Sequence, residues 1–500
     1  MARSNLTQSR AFRVILLAFG QGMSGVIDIA LKAVLARVFL KEEYAVYIAA
    51  MLVYSTVYPI LSLGLPTTTY LNLPRGQSQG RGRGVLLENQ ILLMALGASF
   101  AVFLLLGGAG LIADSMRNAG LVGALNVLAL YFVFSLPLLA LDGVLLVNGQ
   151  SLTIVIFRIA SQIARFLGVL IPTLIWQTPI AALAGLSVIS LALWLVGVAL
   201  MWRSTPTDDW RPRVGSAWKQ VLLGLPLLLA TSFGALQFNL DTWLVSILGT
   251  PEQLAVFALG ATELPLIGLF TAAVTQVLLA DTARMFQEDK REEIARLIWS
   301  ATRSNVIFLL PTMVFFLVTA NSVVPLLYSD AYRESVLPFT LYLLIIPARF
   351  INYSSIEIAS GKTWVVPIIF GTNMVLTALL TIFLYPTFSY LGATLSYLLV
   401  TYLFAVPVHL IVFTRLLKLP IWKAFPARAF ARIALAVATA SLVLLLDRWM
   451  SVNDLARVLI LGVLFLAALM GSYLVFGVEI PLMRAFGTFW GKRVSGQGAM

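Results

Sequence analysis

The chain contains no cysteine, which excludes disulfides, thiolate metal sites and a cysteine nucleophile and leaves the redox compartment unread. It contains one histidine, His409, late in an apolar run, where it reads as a packing or interface residue rather than a ligand. Charge is scarce too: 11% of the 500 residues are Asp, Glu, Lys or Arg, against about 25% in ordinary soluble domains. A nucleotide loop is also missing. Gly76, Gly80, Gly82 and Gly84 alternate with Arg75, Arg81 and Arg83, but no Lys-Ser or Lys-Thr follows and no strand precedes, so the stretch reads as a basic turn. ATP hydrolysis has no home in this chain. Nor has an outer-loop enzyme, because the breaks between apolar runs are too short to hold convergent acids. No metal or cofactor is expected.

What is present is apolar: 60% of residues are hydrophobic and the mean hydropathy is +0.93. Long Leu, Val and Ile runs broken by short polar stretches suit membrane helices and not the alternating pattern of an outer-membrane barrel. The fold class is therefore an all-α polytopic membrane protein. Apolar windows predict spans near 14–40, 45–71, 86–112, 121–147, 152–176 and 180–202, then 220–248, 254–280, 304–328, 336–360, 364–385 and 391–414, and finally 430–446 and 457–477. That is about fourteen. The basic stretch Met1 to Arg13 precedes an apolar run with no small-residue cleavage site, so it reads as the start of an uncleaved first span.

Two polar breaks divide the chain. Arg203 to Ser216 carries Pro206, Asp208, Asp209, Arg211, Pro212 and Arg213, and Arg415 to Arg428 is basic. The expected organisation is a lobe over 1–203, a linker over 204–218, a second lobe over 219–414, and two extra spans with a tail over 415–500. Glu42-Glu43-Tyr44-Ala45-Val46-Tyr47 opens the second span and Glu252-Gln253-Leu254-Ala255-Val256-Phe257 opens the eighth. The pairing predicts two six-helix repeats in parallel, related by a pseudo-two-fold along the membrane normal. Asp281 to Arg303 reads as a helix along the inner surface.

With the amino terminus inside, most of the 34 Lys and Arg residues fall in inner segments, and only Lys41, Arg117, Arg333, Arg448 and Arg457 lie outside. Both termini are therefore expected in the cytoplasm. The net charge of +12 serves this topology and attracts anionic lipid; it requires no nucleic acid.

Charges at depth carry the functional reading, because an ionised group near the membrane centre costs about 2.5 to 3.5 kcal/mol on insertion scales. In the first span Gln21, Ser24, Asp28 and Lys32 share one face. They either line a polar path or hold an Asp28 to Lys32 pair between packed helices. Arg158, Gln162 and Arg165 share a face of the fifth span, with Arg165 about 20 Å in, and Arg349 sits near the middle of the tenth. Four cations at depth (Lys32, Arg158, Arg165 and Arg349) suggest a cationic cavity for an anionic cargo, since guanidinium grips phosphate through paired donors. Among the acids Glu88, Asp142, Asp241, Glu263 and Glu357, the candidates for ion coupling are Asp241 and Glu263, together with Asp28. Any one of these charges could equally serve as an interhelix ion pair.

Several stretches are similar to polysaccharide flippases of the O-antigen type, in the multidrug/oligosaccharidyl-lipid/polysaccharide exporter superfamily. They are Leu35 to Tyr47, Ser62-Leu63-Gly64-Leu65-Pro66, Gly224-Leu225-Pro226 with Asp241, Tyr328-Ser329-Asp330-Ala331-Tyr332, Ala359-Ser360-Gly361-Lys362 and Tyr390-Leu391-Gly392-Ala393. The family usually has Gly where this chain has Ala45. The resemblance implies two six-helix lobes around a cavity in the bacterial inner membrane. It implies transfer of an undecaprenyl-pyrophosphate-linked glycan from the inner to the outer leaflet, with a polysaccharide polymerase and a chain-length regulator as further partners. It also implies a lipid-tail role for the two extra spans, and no site transfers from it residue by residue. The competing readings are an exporter of drugs or organic cations, which would want an acidic aromatic cavity, a membrane polymerase or ligase, and an assembly scaffold.

Overall fold

A computed structural model describes residues 10–206, 209–262, 264–362, 364–420, 425–450 and 452–479. Among them every regular element is a helix, and ten helical segments are long and apolar enough to cross a membrane. The apolar side chains left exposed, such as Leu106, Ile175, Val463 and Leu474, stand on helices that satisfy their own backbone. That is the one arrangement a lipid environment tolerates besides a closed barrel.

The chain packs as two compact units. The first comprises residues 1–269 and 367–397, and the second 270–366 and 398–500. Unit 1 contains α1 (Arg10–Val38), α2 (Lys41–Leu61), α3 (Leu65–Ser78), α4 (Gly82–Phe103), α5 (Leu121–Leu138), α6 (Ser151–Trp176), α7 (Pro179–Ser204), α8 (Val214–Leu248) and α9 (Pro251–Gly260). Within it α6 packs on α1 and α7, α5 on α4 and α7, and α2 on α8 and α9. Unit 2 contains α10 (Arg291–Tyr328), α11 (Tyr353–Ala359), α12 (Val406–Leu417), α13 (Ala427–Ser441) and α14 (Asp454–Val475). Ile433, Val437, Leu461 and Phe465 of α13 and α14 close a core on Val306 and Ile307 of α10.

The expected spans are helical, with breaks that local chemistry explains. The span expected over 45–71 ends at Leu61 and restarts at Leu65. Gly64 lies in this turn at φ +68°, a conformation that costs glycine nothing. The span over 254–280 stops at Gly260 and resumes with the helix Pro265–Gln287, where proline suits a first turn. The span over 336–360 is not one helix but Val336–Leu343, a 3-10 turn Ile346–Arg349, and α11. Pro347 has no N–H to give and its ring crowds the carbonyl four residues back, which favours a break here, although α10 runs on through Pro311 and Pro325. Carbonyls freed there find donors: Tyr402 Oη donates to Leu344 O at 2.6 Å and Asn305 Nδ2 to Phe350 O at 2.9 Å. Residues 281–303 are not a separate surface helix either. Helix Pro265–Gln287 ends in them and α10 begins at Arg291, running on without interruption into the next span.

The two similar hexapeptides begin α2 and α9 in the same way. At the first, Glu43 Oε2 accepts the Leu40 N–H at 3.0 Å; at the second, Gln253 Oε1 accepts the Thr250 N–H at 3.1 Å. Each thus satisfies a donor that a helix start leaves orphaned. The next four residues, Tyr44 to Tyr47 and Leu254 to Phe257, are all buried.

Candidate functional site

The amphipathic helix of unit 1 is α6, and its polar face carries Arg158, Ser161, Gln162 and Arg165. Arg158 is spoken for. Its Nε donates to Asp142 Oδ2 at 3.1 Å and its terminal nitrogen bonds the same oxygen. Asp142 comes from the short helix Leu141–Val147, which follows α5 after a two-residue turn. Both side chains are about a third exposed, Arg158 at 33% and Asp142 at 35%, so the pair is open to solvent or ligand on one side. Lys32 is paired as well: its Nζ lies 3.1 Å from Asp28 Oδ2, one turn back on α1, the helix that packs along α6. The two side chains thus meet on α1, with half of the Asp28 side chain still exposed.

Arg165 differs. Its Nε is buried without a hydrogen-bond partner, and among the described residues no carboxylate pairs with it. Its ionisable neighbours are the phenols of Tyr131 and Tyr54. The Tyr54 ring stands 4.5 Å from that of Tyr131 and is stacked on that of Tyr58 at 5.1 Å. Tyr54 Oη donates to Ser135 Oγ at 3.0 Å, which fixes the ring between α2 and α5. A guanidinium beside phenols keeps its charge available, whereas a carboxylate would cancel it. Such a group binds planar anions through paired N–H donors, and the aromatic faces offer contact to apolar or sugar-ring surfaces. Sequence reasoning missed the tyrosines. Tyr54 and Tyr58 one turn apart on α2 were the available signal, but nothing local joined them to Tyr131.

Asp241 of α8 is buried. Its Oδ1 accepts from the N–H and the hydroxyl of Thr242, and among the described residues no lysine or arginine pairs with it. Glu263 lies outside the described residues. Arg349 belongs to unit 2, where it closes the 3-10 turn after Pro347 instead of sitting mid-helix. Four residues on, α11 begins, and it brings Glu357 against His409 of α12 at 2.6 Å, with the Tyr353 ring stacked on the imidazole at 4.7 Å. His409 thus packs, as expected, but as one half of a buried polar pair. Glu88 of α4, also buried, is a hydrogen-bond acceptor for several groups at the Arg-rich end of unit 1.

Comparison with solved structures finds the same fold in transporters at low sequence identity. A mutant of the Vibrio cholerae MATE transporter VcmN superposes with a TM-score of 0.57 at 16% identity, covering 83% of this chain and 98% of that one. A MOP superfamily transporter from Pyrococcus furiosus, described as having reverse polarity of its binding pocket, gives 0.58 at 15%, covering 83% and 97%. The outward-facing form of a multidrug resistance MATE transporter gives 0.55 at 15%, covering 84% and 98%. No curated protein matches the sequence. The family described as polysaccharide biosynthesis protein matches residues 34–337, which contain the quoted stretches from Ser62 to Tyr332 and the whole Arg165 site. The chain belongs to that polysaccharide biosynthesis protein family and shares the all-α membrane fold of those transporters.

Proposed function

We propose that this protein carries an anionic, lipid-linked oligosaccharide across a membrane. The cargo class is an undecaprenyl-pyrophosphate-linked repeat unit, moved from the inner to the outer leaflet of the bacterial cytoplasmic membrane by alternating access of two lobes, 1–203 and 219–414. Membership of a polysaccharide biosynthesis family and the fold of MOP transporters support a transport role in glycan assembly. The observation that carries the cargo's charge is Arg165, a cation at membrane depth beside tyrosines and, among the described residues, with no acid paired to it. Binding a pyrophosphate there offsets the cost of holding the guanidinium out of water. Lys32 and Arg158 complete the proposed cationic path in unit 1, by exchanging their exposed carboxylate partners for cargo.

The test is flipping of a defined undecaprenyl-pyrophosphate glycan in proteoliposomes. Arg165→Ala is expected to reduce the rate at least tenfold with folding retained, and Arg165→Lys to restore part of it, because a point charge lacks the paired donor geometry. Unchanged flipping in the alanine variant removes the cationic reading. Export of organic cations is the rival, favoured by the buried carboxylate of Asp241; uptake of a fluorescent cation by the same vesicles with no glycan flipping would decide for it.

A further inference from the structure

Two stretches that the cargo site does not use are bound to each other at the Arg-rich end of unit 1. One is the Gly and Arg turn between α3 and α4, and the other is the polar break before α8. They pair through backbone: Asp209 N donates to Gly80 O at 3.0 Å and Gly84 N donates to Asp209 O at 3.1 Å. Glycine at 84 suits this pairing, since a Cβ there would sit 3.1 Å from both the Asp209 and the Arg211 carbonyl oxygens and would press on backbone at both. Beneath the pairing lies the Glu88 carboxylate, 2% exposed. Oε1 accepts from Arg81 Nη2 at 2.9 Å and from the Arg213 N–H at 2.9 Å. Oε2 accepts from Gln220 Nε2 at 2.9 Å and from the Ser216 hydroxyl. One carboxylate therefore ties α4 to the break and to the first two turns of α8.

The fastening is polar where an apolar seam would be expected. Trp210, Val214 and Trp218 are exposed at 59%, 87% and 60%, so the segment held by Glu88 buries none of its large apolar side chains there. Hydrogen bonds of this kind exchange with water at small net cost, whereas buried apolar area does not. A contact that must hold in one state and release in another is built in this way.

We propose that Glu88 is a latch that closes this end of unit 1 and that must open for cargo to pass, a role that rests on the transport reading above. The chain's lack of cysteine makes it directly testable. Gln79→Cys and Gly215→Cys, both exposed positions, accept spin labels, and their distance distribution is measured in vesicles of phosphatidylethanolamine and phosphatidylglycerol without cargo. Glu88→Gln is expected to raise the ratio of separated to closed populations about tenfold, for loss of the charge that all four donors share, and Ser216→Ala about threefold, for loss of one hydroxyl donor. Gly84→Val, which leaves Glu88 intact, shifts the ratio the same way and covers the case in which Glu88→Gln fails to fold. One unchanged distance in the parent, Ser216→Ala and Gly84→Val overturns the latch. Separately, joining the exposed Gln79→Cys and Gly215→Cys with a reducible bifunctional thiol reagent is expected to stop glycan flipping until reduced, and full flipping while cross-linked overturns the latch. Absence of flipping in the parent chain would sink the cargo reading alone, because the label distances do not depend on cargo.

Discussion

Glu357 and His409 meet inside unit 2 with Oε1 2.6 Å from Nδ1, and neither side chain has more than 8% of its surface exposed. The second carboxylate oxygen, Oε2, is buried without a partner, so His409 is what this acid depends on. Removing either half strands the other in a low-dielectric site. His409→Ala and Glu357→Ala are each expected to destabilise by about 1 to 3 kcal/mol. The double variant should cost less than the sum, as a double-mutant cycle in thermal unfolding would read. Strict additivity would mean the contact contributes nothing.

Gly224 of α8 approaches the turn between α2 and α3 so closely that a Cβ would lie 2.1 Å from Leu63 O. That is far inside contact distance and the neighbour is backbone, so Gly224→Ala forces the helix away from Leu63. A loss of about 1 to 3 kcal/mol is expected, measured as a lower midpoint of thermal unfolding in detergent. Gly234 on the same helix has nothing within 4 Å of its added Cβ and should tolerate alanine.

Asp209 supplies a pH dependence to the latch. The N–H of Arg211 holds its carboxyl below the usual range, with Arg213 and Arg81 adding to the effect. A carboxyl whose folded value is depressed contributes its stabilisation above the unfolded value, about 3.9, and loses it as pH falls through the folded one. The spin-labelled pair at 79 and 215 should therefore stay closed from neutral pH down to about 4 and open below it, and Asp209→Asn should flatten that response. Opening between pH 5 and 7 would assign the change to another group.

The helices were legible because hydropathy over some twenty residues is decided locally by the bilayer's thickness. So was the start of α2 and α9, where the third helical residue, Glu43 or Gln253, reaches back to a neighbouring N–H. The break at Pro347 was written in the sequence but outweighed by the apolar run around it. What no window could reveal was which charges cancel. Arg158 finds Asp142 sixteen residues away and across a turn, while Arg165, on the same face of α6, finds tyrosines from two other helices. Glu88 read as one more acid at depth, because its partners Arg213, Ser216 and Gln220 lie well over a hundred residues along the chain. Pairings of that kind come from packing and not from pattern.

Topology can be read by labelling single cysteines from one side of the membrane. Positions 115 and 330 are expected to be external, and position 215, beside the latch, internal, since the Lys and Arg bias places the Arg-rich end inside. The amino-terminal residues 1–9 and the carboxy-terminal residues 480–500 lie outside the described structure, and cysteines at 5 and 495 are expected to label from the inside. Label reaching 215 from outside would invert the whole assignment, and with it the direction of transport.

The proposed ion sites separate by what each acid is attached to. Asp28 holds Lys32 at 3.1 Å, so Asp28→Asn frees a lysine charge on α1 and alters both stability and the proposed cargo path. Its phenotype cannot by itself be assigned to coupling. Asp241 is the cleaner test: it is buried at 8% exposure, and its hydrogen bonds at Oδ1 come from Thr242 alone. Asparagine keeps the shape and the Oδ1 acceptor and strands no cation, so Asp241→Asn should change the unfolding midpoint little, within about 1 kcal/mol. If Asp241 binds the driving ion, the same variant should lose the dependence of flipping on an imposed proton or sodium gradient while keeping gradient-independent exchange of the glycan. Flipping that still follows the gradient in Asp241→Asn would make this carboxylate a structural residue and leave Glu263 as the acid to test.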